Sequence, residues 1–531
     1  MIASAQNLDE LDAPALREQV RGLMVALGQK EQVLAEHQQR LVHQEQVLAT
    51  KGQEILYKDT KIAQLTHEIA GLRRYQFGKK GEQLSSVQGS LLEETVAADI
   101  AAIELELDLL RGQPVARPVQ QPKRAALPEH LPRVEHRHEP DSTTCQCGCQ
   151  LQRIGEDVSE KLDYTPGLFT VERHIRGKWI CKKCATLTQA PVPAHVIDKG
   201  MASSGLLAQV LVAKYADHLP LYRQEKIFER AGMKLARSTM AEWVGVCGVQ
   251  LQPLADALRQ AILAHRVVHA DETPVQMLQP GSKKTHRAYL WAYAPGAFEN
   301  LRSVVYDFTE GRAGAHARAF LGDWQGSLIC DDYSGYKACF TQGMTEIGCM
   351  AHARRKFFEL HTSSKSQLAE QALQYIGQLY EIERQVKDLG TEARRRRRQE
   401  QARPVADALH AWMRAQRERV PDGSATAKAL DYSLKRWVAL TRYLEDGQLP
   451  IDNNWIENQI RPIAIGRNNW LFAGSLRAGK RAAAVMTLIQ SAKLNGHDPY
   501  AYLKDILTRL PTQLASRIDE LLPHNWQPTK H

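Results

Sequence analysis

Nowhere in the 531 residues does an apolar run reach the roughly 20 residues that a helix needs to cross a bilayer. The first residues, Met1-Ile2-Ala3-Ser4-Ala5-Gln6, lack the basic stretch followed by an apolar stretch that marks a secretory leader. These two absences predict a cytoplasmic protein with no membrane partner. Cysteine is sparse, nine residues in all, and in a reducing compartment thiols do not persist as disulfides. Charge is only slightly unbalanced: 69 Lys and Arg against 60 Asp and Glu leave a net +9. That surplus favours a polyanionic partner without identifying one. What is present is enough apolar residue, 43%, for real cores, in a length that fits about three domains.

Residues 8–75 carry an unbroken seven-residue period. Val20, Leu27, Leu34, Leu41, Leu48, Ile55, Ile62 and Ile69 occupy one seam position. The second seam position is apolar at Leu16, Leu23, Leu65 and Leu72, and polar between them at Lys30, His37, Gln44, Lys51 and Lys58. Such a repeat predicts a coiled coil and self-association, with the polar positions weakening it and setting its register. A helical segment follows over 76–111. Its apolar face is Val96, Ile100, Ile103, Leu107 and Leu110, and its other face is acidic, a poor surface for DNA. Six prolines between 112 and 140 predict an extended linker.

Five of the nine cysteines fall in 141–190. Cys181-Lys182-Lys183-Cys184 has the C-x-x-C spacing of a zinc knuckle. Cys145, Cys147 and Cys149 offer three thiols for the two remaining places, so the reading is structural Zn²⁺ held by four of these five. Between the clusters, Tyr164 to Arg176 reads as strand.

Residues 200–263 read as helical. Leu221 to Arg230, the turn at Gly232 and a capping box at Thr239-Met240-Ala241-Glu242 suggest a helix-turn-helix with Lys234 and Arg237 near the second helix's start. An ordinary helical hairpin accounts for the same pattern. From 264 to 361 the pattern becomes three strands, a helix, two more strands and a basic helix. Residues 362–446 read as almost continuous helix, with five consecutive arginines at 394–398 that either grip DNA or form a solvated face. Residues 447–495 resume the α/β part, and 496–531 form a helical tail.

Three acidic residues stand out in the α/β part. Asp271, in Val267-Val268-His269-Ala270-Asp271-Glu272-Thr273, ends an apolar β-prone run. Asp331 does the same in Leu328-Ile329-Cys330-Asp331-Asp332-Tyr333. Glu457 lies in Ile451-Asp452-Asn453-Asn454-Trp455-Ile456-Glu457-Asn458-Gln459-Ile460-Arg461-Pro462, expected more than a turn inside a helix capped by Asp452. Two Asp at strand ends and a Glu on a helix can hold two divalent ions, Mg²⁺ or Mn²⁺, the arrangement used for phosphodiester chemistry. Neighbours in a strand face opposite ways, which turns Glu272 and Asp332 away from such a site.

His269 to Pro274, Asp331 to Tyr336, Cys349 to Phe358, Asp452 to Gly474 and Ser491 to Leu503 together resemble the DDE transposases of insertion sequence family 66. The resemblance implies a ribonuclease H-like α/β core, interrupted by a helical insertion, in which the first and fourth strands are neighbours. It implies Asp271, Asp331 and Glu457 as the catalytic, metal-binding triad, cutting DNA at element ends and transferring the freed 3′-hydroxyl into target DNA. Arg354, Arg355, Arg461 and Arg467, like Lys234 and Arg237, are the expected DNA contacts. Accessory proteins of the same element are implied as partners. A Phe-Gly-Lys box, here Phe77-Gly78-Lys79, is shared with the family. So is Cys349-Met350-Ala351-His352, for which a positioning or core role is expected. The family's first C-x-x-C-G is not matched, because its first cysteine falls on Thr144. The competing reading is a catalytically inactive or regulatory DNA-binding protein derived from a transposase.

Overall fold

The computed structural model describes residues 13–77, 86–111, 127–165, 167–197, 200–278 and 284–528. The chain divides into two units, one of residues 1–74 with 107–115 and one of 75–106 with 116–531.

In the first unit, α1 (Ala13–Phe77) is one helix of 65 residues. Its seam residues Val20, Leu27, Leu34, Leu41, Leu48 and Ile55 are between 48% and 69% exposed, whereas Leu65 and Ile69 are buried. A single helix cannot cover its own seam, so this stripe of apolar side chains meets solvent in the lone chain. Residues 8–12 of the expected coiled coil, and Gly78 and Lys79 of the Phe-Gly-Lys box, lie outside the described residues.

Residues 86–106 of α2 (Ser86–Arg111) belong to the second unit. The acidic face, read from the sequence as a poor surface for DNA, is turned inward over residues 94–106: Asp99 is buried against Arg481 at 3.0 Å, and Glu94 accepts the backbone N–H of Tyr222. Ile103 on the apolar face is buried too. The close approach of this helix requires glycine at 245, where any Cβ would collide with the Ala98 carbonyl.

A four-stranded ribbon follows: β1 (Arg133–His138), β2 (Leu151–Thr165), β3 (Leu168–Cys181) and β4 (Leu187–Gln189), in the order β1-β3-β2 with β4 on β3. Two expectations are corrected here. Residues 133–138, placed in the linker, pair in parallel with β3 from Arg133↔Val171 to His138↔Arg176. The strand expected over Tyr164 to Arg176 is two strands of an antiparallel hairpin, turned at Gly167, whose φ of +90° suits glycine.

Next come α3 (Ser204–Tyr215), α4 (Leu221–Arg230) and α5 (Arg237–Leu263). α5 starts at Arg237, ahead of the expected capping box at Thr239. Twelve of its residues, from Met240 to Ile262, are buried. It is therefore a core helix along its length.

The central sheet is β5 (Val267–Leu278), β6 (Thr285–Pro295), β7 (Val305–Thr309), β8 (Ser327–Cys330) and β9 (Thr345–Gly348), in the order β7-β6-β5-β8-β9. β5, β6 and β7 are antiparallel neighbours, while β5–β8 and β8–β9 are parallel. The first and fourth strands are thus adjacent, as expected. The crossover from β7 to β8 contains α6 (Gly314–Leu321), and α7 (Lys337–Thr341) lies between β8 and β9. Side chains alternate between two cores. Val268, Leu328 and Cys330 join the core shared with α3 and α5, while Val267, Ile329 and Ile347 join the one shared with the helices that follow.

Those helices are α8 (Met350–Ser364), α9 (Gln367–Val386), α10 (Thr391–Arg397), α11 (Arg403–Arg417), α12 (Ala425–Lys435) and α13 (Trp437–Thr441). The arginine run divides by helical period. Arg394 and Arg398 are buried, four residues apart, whereas Arg395, Arg396 and Arg397 are exposed. Arg398 pairs with Glu383 at 2.6 Å and donates to the carbonyls of Tyr443, Asp446 and Leu449. Two of the five arginines therefore fasten the insertion, to itself and to the start of the segment after it.

The chain closes with α14 (Asn454–Trp470), α15 (Leu476–Leu494) and α16 (Pro499–Arg509). The tail remains packed beyond them: Leu521, Leu522 and Trp526 are buried, and the Trp526 indole donates to Asp505 at 2.7 Å.

Candidate active site and metal centre

β5 continues to Leu278, so Asp271 lies within the strand rather than at its end. What ends near it is the pairing with β8, whose last matched pair is His269↔Ile329. Continued two residues further, the same register reaches Asp271 and Asp331, at the point where β8 has stopped at Cys330. Both Asp fall on the face of Val267, His269 and Ile329, by strand alternation.

The third carboxylate reaches this place because α14 is anchored to β5. Asn453 precedes the helix and does not cap it with its side chain. Instead its amide oxygen stands 2.7 Å from His269 Nδ1, and its Nδ2 donates to the Ala270 carbonyl at 2.9 Å. Its backbone N–H donates to Cys349 Sγ at 3.2 Å. Asp452 accepts the Asn454 N–H at 3.0 Å and the Tyr380 hydroxyl at 2.8 Å. Glu457 consequently lies in the first turn of α14, not deeper as expected, where the helix dipole favours a carboxylate.

Burial raises the Asp271 carboxyl well above the usual range, and the charges of Glu272, Glu457 and Asp331 push the same way. Asp331 accepts the Tyr333 N–H at 2.9 Å. Glu272 is directed elsewhere: its carboxylate meets Arg312, and Tyr336 donates to it at 2.8 Å. Asp332 is exposed, 3.4 Å from Lys337 and 3.5 Å from Arg436. Burial holds His269 down to about 4, so it is neutral at ordinary pH.

On the helix side, Glu457 Oε1 lies 3.7 Å from His352 Nδ1 and Oε2 lies 3.7 Å from Arg355. Arg354 and Arg461 are exposed, the latter one turn after Glu457. Arg467 is engaged with Thr273 and the Pro274 carbonyl. Lys234 is exposed in the turn before α5, away from these residues in the chain, and Arg237 pairs with Glu225 at 3.2 Å. Asn453 and His269 had no role in the sequence reading. Their places were visible in the motifs, but a hydrogen bond across 184 residues leaves no local pattern.

In the ribbon, the ligand atoms of Cys145, Cys147, Cys181 and Cys184 lie within 4.8 Å of one another. Cys145 and Cys184 sulfurs are 3.2 Å apart, and Cys147 and Cys181 sulfurs 3.6 Å. Cys149 stands outside this group, its carbonyl accepting the Cys145 N–H at 2.8 Å. Four thiols converging on one point suit a tetrahedral soft ion.

The model of the IS66 transposase family matches residues 199–481, and that of the IS66 C-terminal element matches 487–524. A zinc-finger binding domain of IS66 transposases matches 142–185, and the region described as Transposase C of IS166 homeodomain matches 64–135. Two relatives from Sinorhizobium fredii, the uncharacterized proteins y4qI and y4jD, are 38% and 35% identical over 490 and 491 residues. Each alignment covers 88% of this chain, with 90% and 95% of the respective relatives. The chain belongs to the IS66 family of transposases. It is a transposase-type enzyme of insertion-sequence origin with DNA as its partner, and its four-cysteine cluster fits structural zinc. Among the described residues, no helix is long and apolar enough to cross a membrane.

Proposed function

We propose that this transposase cleaves DNA at the ends of its element and joins the freed 3′-hydroxyl to target DNA, with Asp271, Asp331 and Glu457 holding two Mg²⁺ or Mn²⁺ ions. The sheet order, with three antiparallel strands followed by two parallel ones, supports reading the core as ribonuclease H-like. The observation on which the reading chiefly rests is the docking of Asn453 on His269 and Ala270, which brings Glu457 within electrostatic reach of Asp271.

The residues fit hard cations. All three side chains offer carboxylate oxygens, and a buried Asp271 surrounded by negative neighbours is poorly compensated by protein alone. Divalent ions bound there supply an activated water and a stabilised leaving oxygen. The chain's own residues hold the geometry: Asn453 fixes α14 to β5, and the Tyr333 N–H orients Asp331. Arg354, Arg355 and Arg461, on α8 and α14, are placed to meet phosphate beside Glu457. In the ribbon, Cys145, Cys147, Cys181 and Cys184 hold the structural zinc, and α1 pairs through its exposed seam with a second copy.

The test is joining of pre-cut ends bearing the inverted repeats that flank the gene. Product is expected with Mg²⁺ and none with chelator. Cleavage without joining would reduce the reading to a metal-dependent nuclease. Sequence-specific binding with neither reaction would support the regulatory alternative.

A further inference from the structure

Beside the carboxylates lies a second convergence of ligand atoms. Cys349 Sγ, one ring nitrogen of His352 and one Glu457 carboxylate oxygen lie within 4.8 Å of one another. Cys349 is the extended residue that precedes α8 and His352 lies in the first turn of that helix, so the C-x-x-H spacing brings both to the helix's start. Glu457 arrives from α14 because Asn453 locks that helix down, and the Asn453 N–H donates to Cys349 itself. An N–H directed at sulfur is the support that a metal-bound thiolate uses.

Two further observations point to a ligand. His352 Nδ1 and Glu457 Oε1 are both shielded from solvent, and neither has a hydrogen-bond partner among the described residues. Their separation, 3.7 Å, is too long for a hydrogen bond. It is close to the spacing of two ligands on one tetrahedral ion, about 3.4 Å for metal–ligand bonds of about 2.0–2.1 Å. Arg355 approaches the other oxygen, Oε2, so Oε1 remains available. Entry is from the His352 and Glu457 side, where the side chains are 24% and 19% exposed.

We propose that Cys349, His352 and Glu457 form a second site for a borderline-soft divalent ion of the zinc class, separate from the ribbon. Thiolate, imidazole and carboxylate are the donor types of an open zinc site, with water as the fourth ligand. On binding, the Cys349 thiol proton leaves to solvent and a sulfur–metal bond forms, with no change in oxidation state. The consequence rests on the reading of Glu457 given above: an ion held here takes Glu457 from the Asp271 and Asp331 side, so zinc competes with magnesium for one carboxylate.

The test is metal content of the full-length protein after equilibrium dialysis against micromolar free zinc. Wild type is expected to hold about two zinc ions per chain. Cys349→Ala and His352→Gln are each expected to hold about one, the ribbon ion. Cobalt substitution should show sulfur-to-metal charge transfer that falls in Cys349→Ala. Should Cys349→Ala fail to fold, His352→Gln gives the same readout from a partly exposed side chain. One zinc per chain in wild type, or two retained in His352→Gln, overturns the proposal. Neither result touches the catalytic triad, which is judged by cleavage rather than by zinc content.

Discussion

His269 and Asn453 are 184 residues apart in the chain and 2.7 Å apart in the fold. That contact ties the first strand of the central sheet to the helix bearing Glu457. His269 is fully buried and uncharged, and its Nδ1 faces the Asn453 amide oxygen.

Acid should destabilise the fold here, because it places a charge on a fully buried ring. His269 is held down to about 4 in the fold against an ordinary 6.5. The unfolded chain therefore binds the extra proton first, and stability is fully present above pH 6.5 and lost as pH falls towards 4. The loss attributable to this group is about 3 kcal/mol across that window. His269→Gln, which does not titrate, should flatten the corresponding part of a stability-against-pH curve. An unchanged slope in the variant would assign the acid sensitivity to other groups.

The arginine run should split in thermal unfolding. Arg398→Ala removes a buried partner of Glu383 and three carbonyl contacts, and should cost about 3–5 kcal/mol. Arg396→Ala, on the exposed side, should stay within about 0.5 kcal/mol of wild type. Equal effects would contradict the division by helical period.

Zinc analysis of single cysteine variants addresses the ribbon. Cys147→Ser and Cys181→Ser should each lose the ribbon ion and local order, because structural zinc supplies folding energy. Cys149→Ser should keep it. Loss in Cys149→Ser with retention in Cys147→Ser would reassign the fourth ligand.

The exposed seam of α1 predicts that residues 8–75 are helical and self-associate. Leu34→Lys with Leu41→Lys places two charges in that seam and should yield monomer by sedimentation. A wild-type fragment already monomeric at micromolar concentration would leave the stripe without a coiled-coil partner.

The sheet was legible because each strand contains an apolar β-prone run, and Asp271 and Asp331 because they follow such runs within long motifs. Local pattern misled wherever tertiary contact decided the outcome. Residues 133–138 sit among prolines and histidines, and became strand only through pairing with β3. Nothing local marks Asp99 for burial, because its partner Arg481 is 382 residues away. Among five identical arginines, sequence alone does not say which two find Glu383 and the carbonyls around Tyr443 and Gly447. The first cysteine cluster had one thiol too many, and the backbone turn at Cys145 to Cys149 excluded Cys149.

The most direct measurement is cleavage and joining of element-end DNA by Asp271→Asn, Asp331→Asn and Glu457→Gln, beside Asp332→Asn. Each of the first three removes a charge at nearly constant size, and each should lower both reactions more than about 100-fold while end binding persists. Asp332→Asn, which touches Lys337 and Arg436 instead, should keep substantial activity. Normal activity in the first three, or an inactive Asp332→Asn beside an active Asp331→Asn, would contradict a site built from Asp271, Asp331 and Glu457.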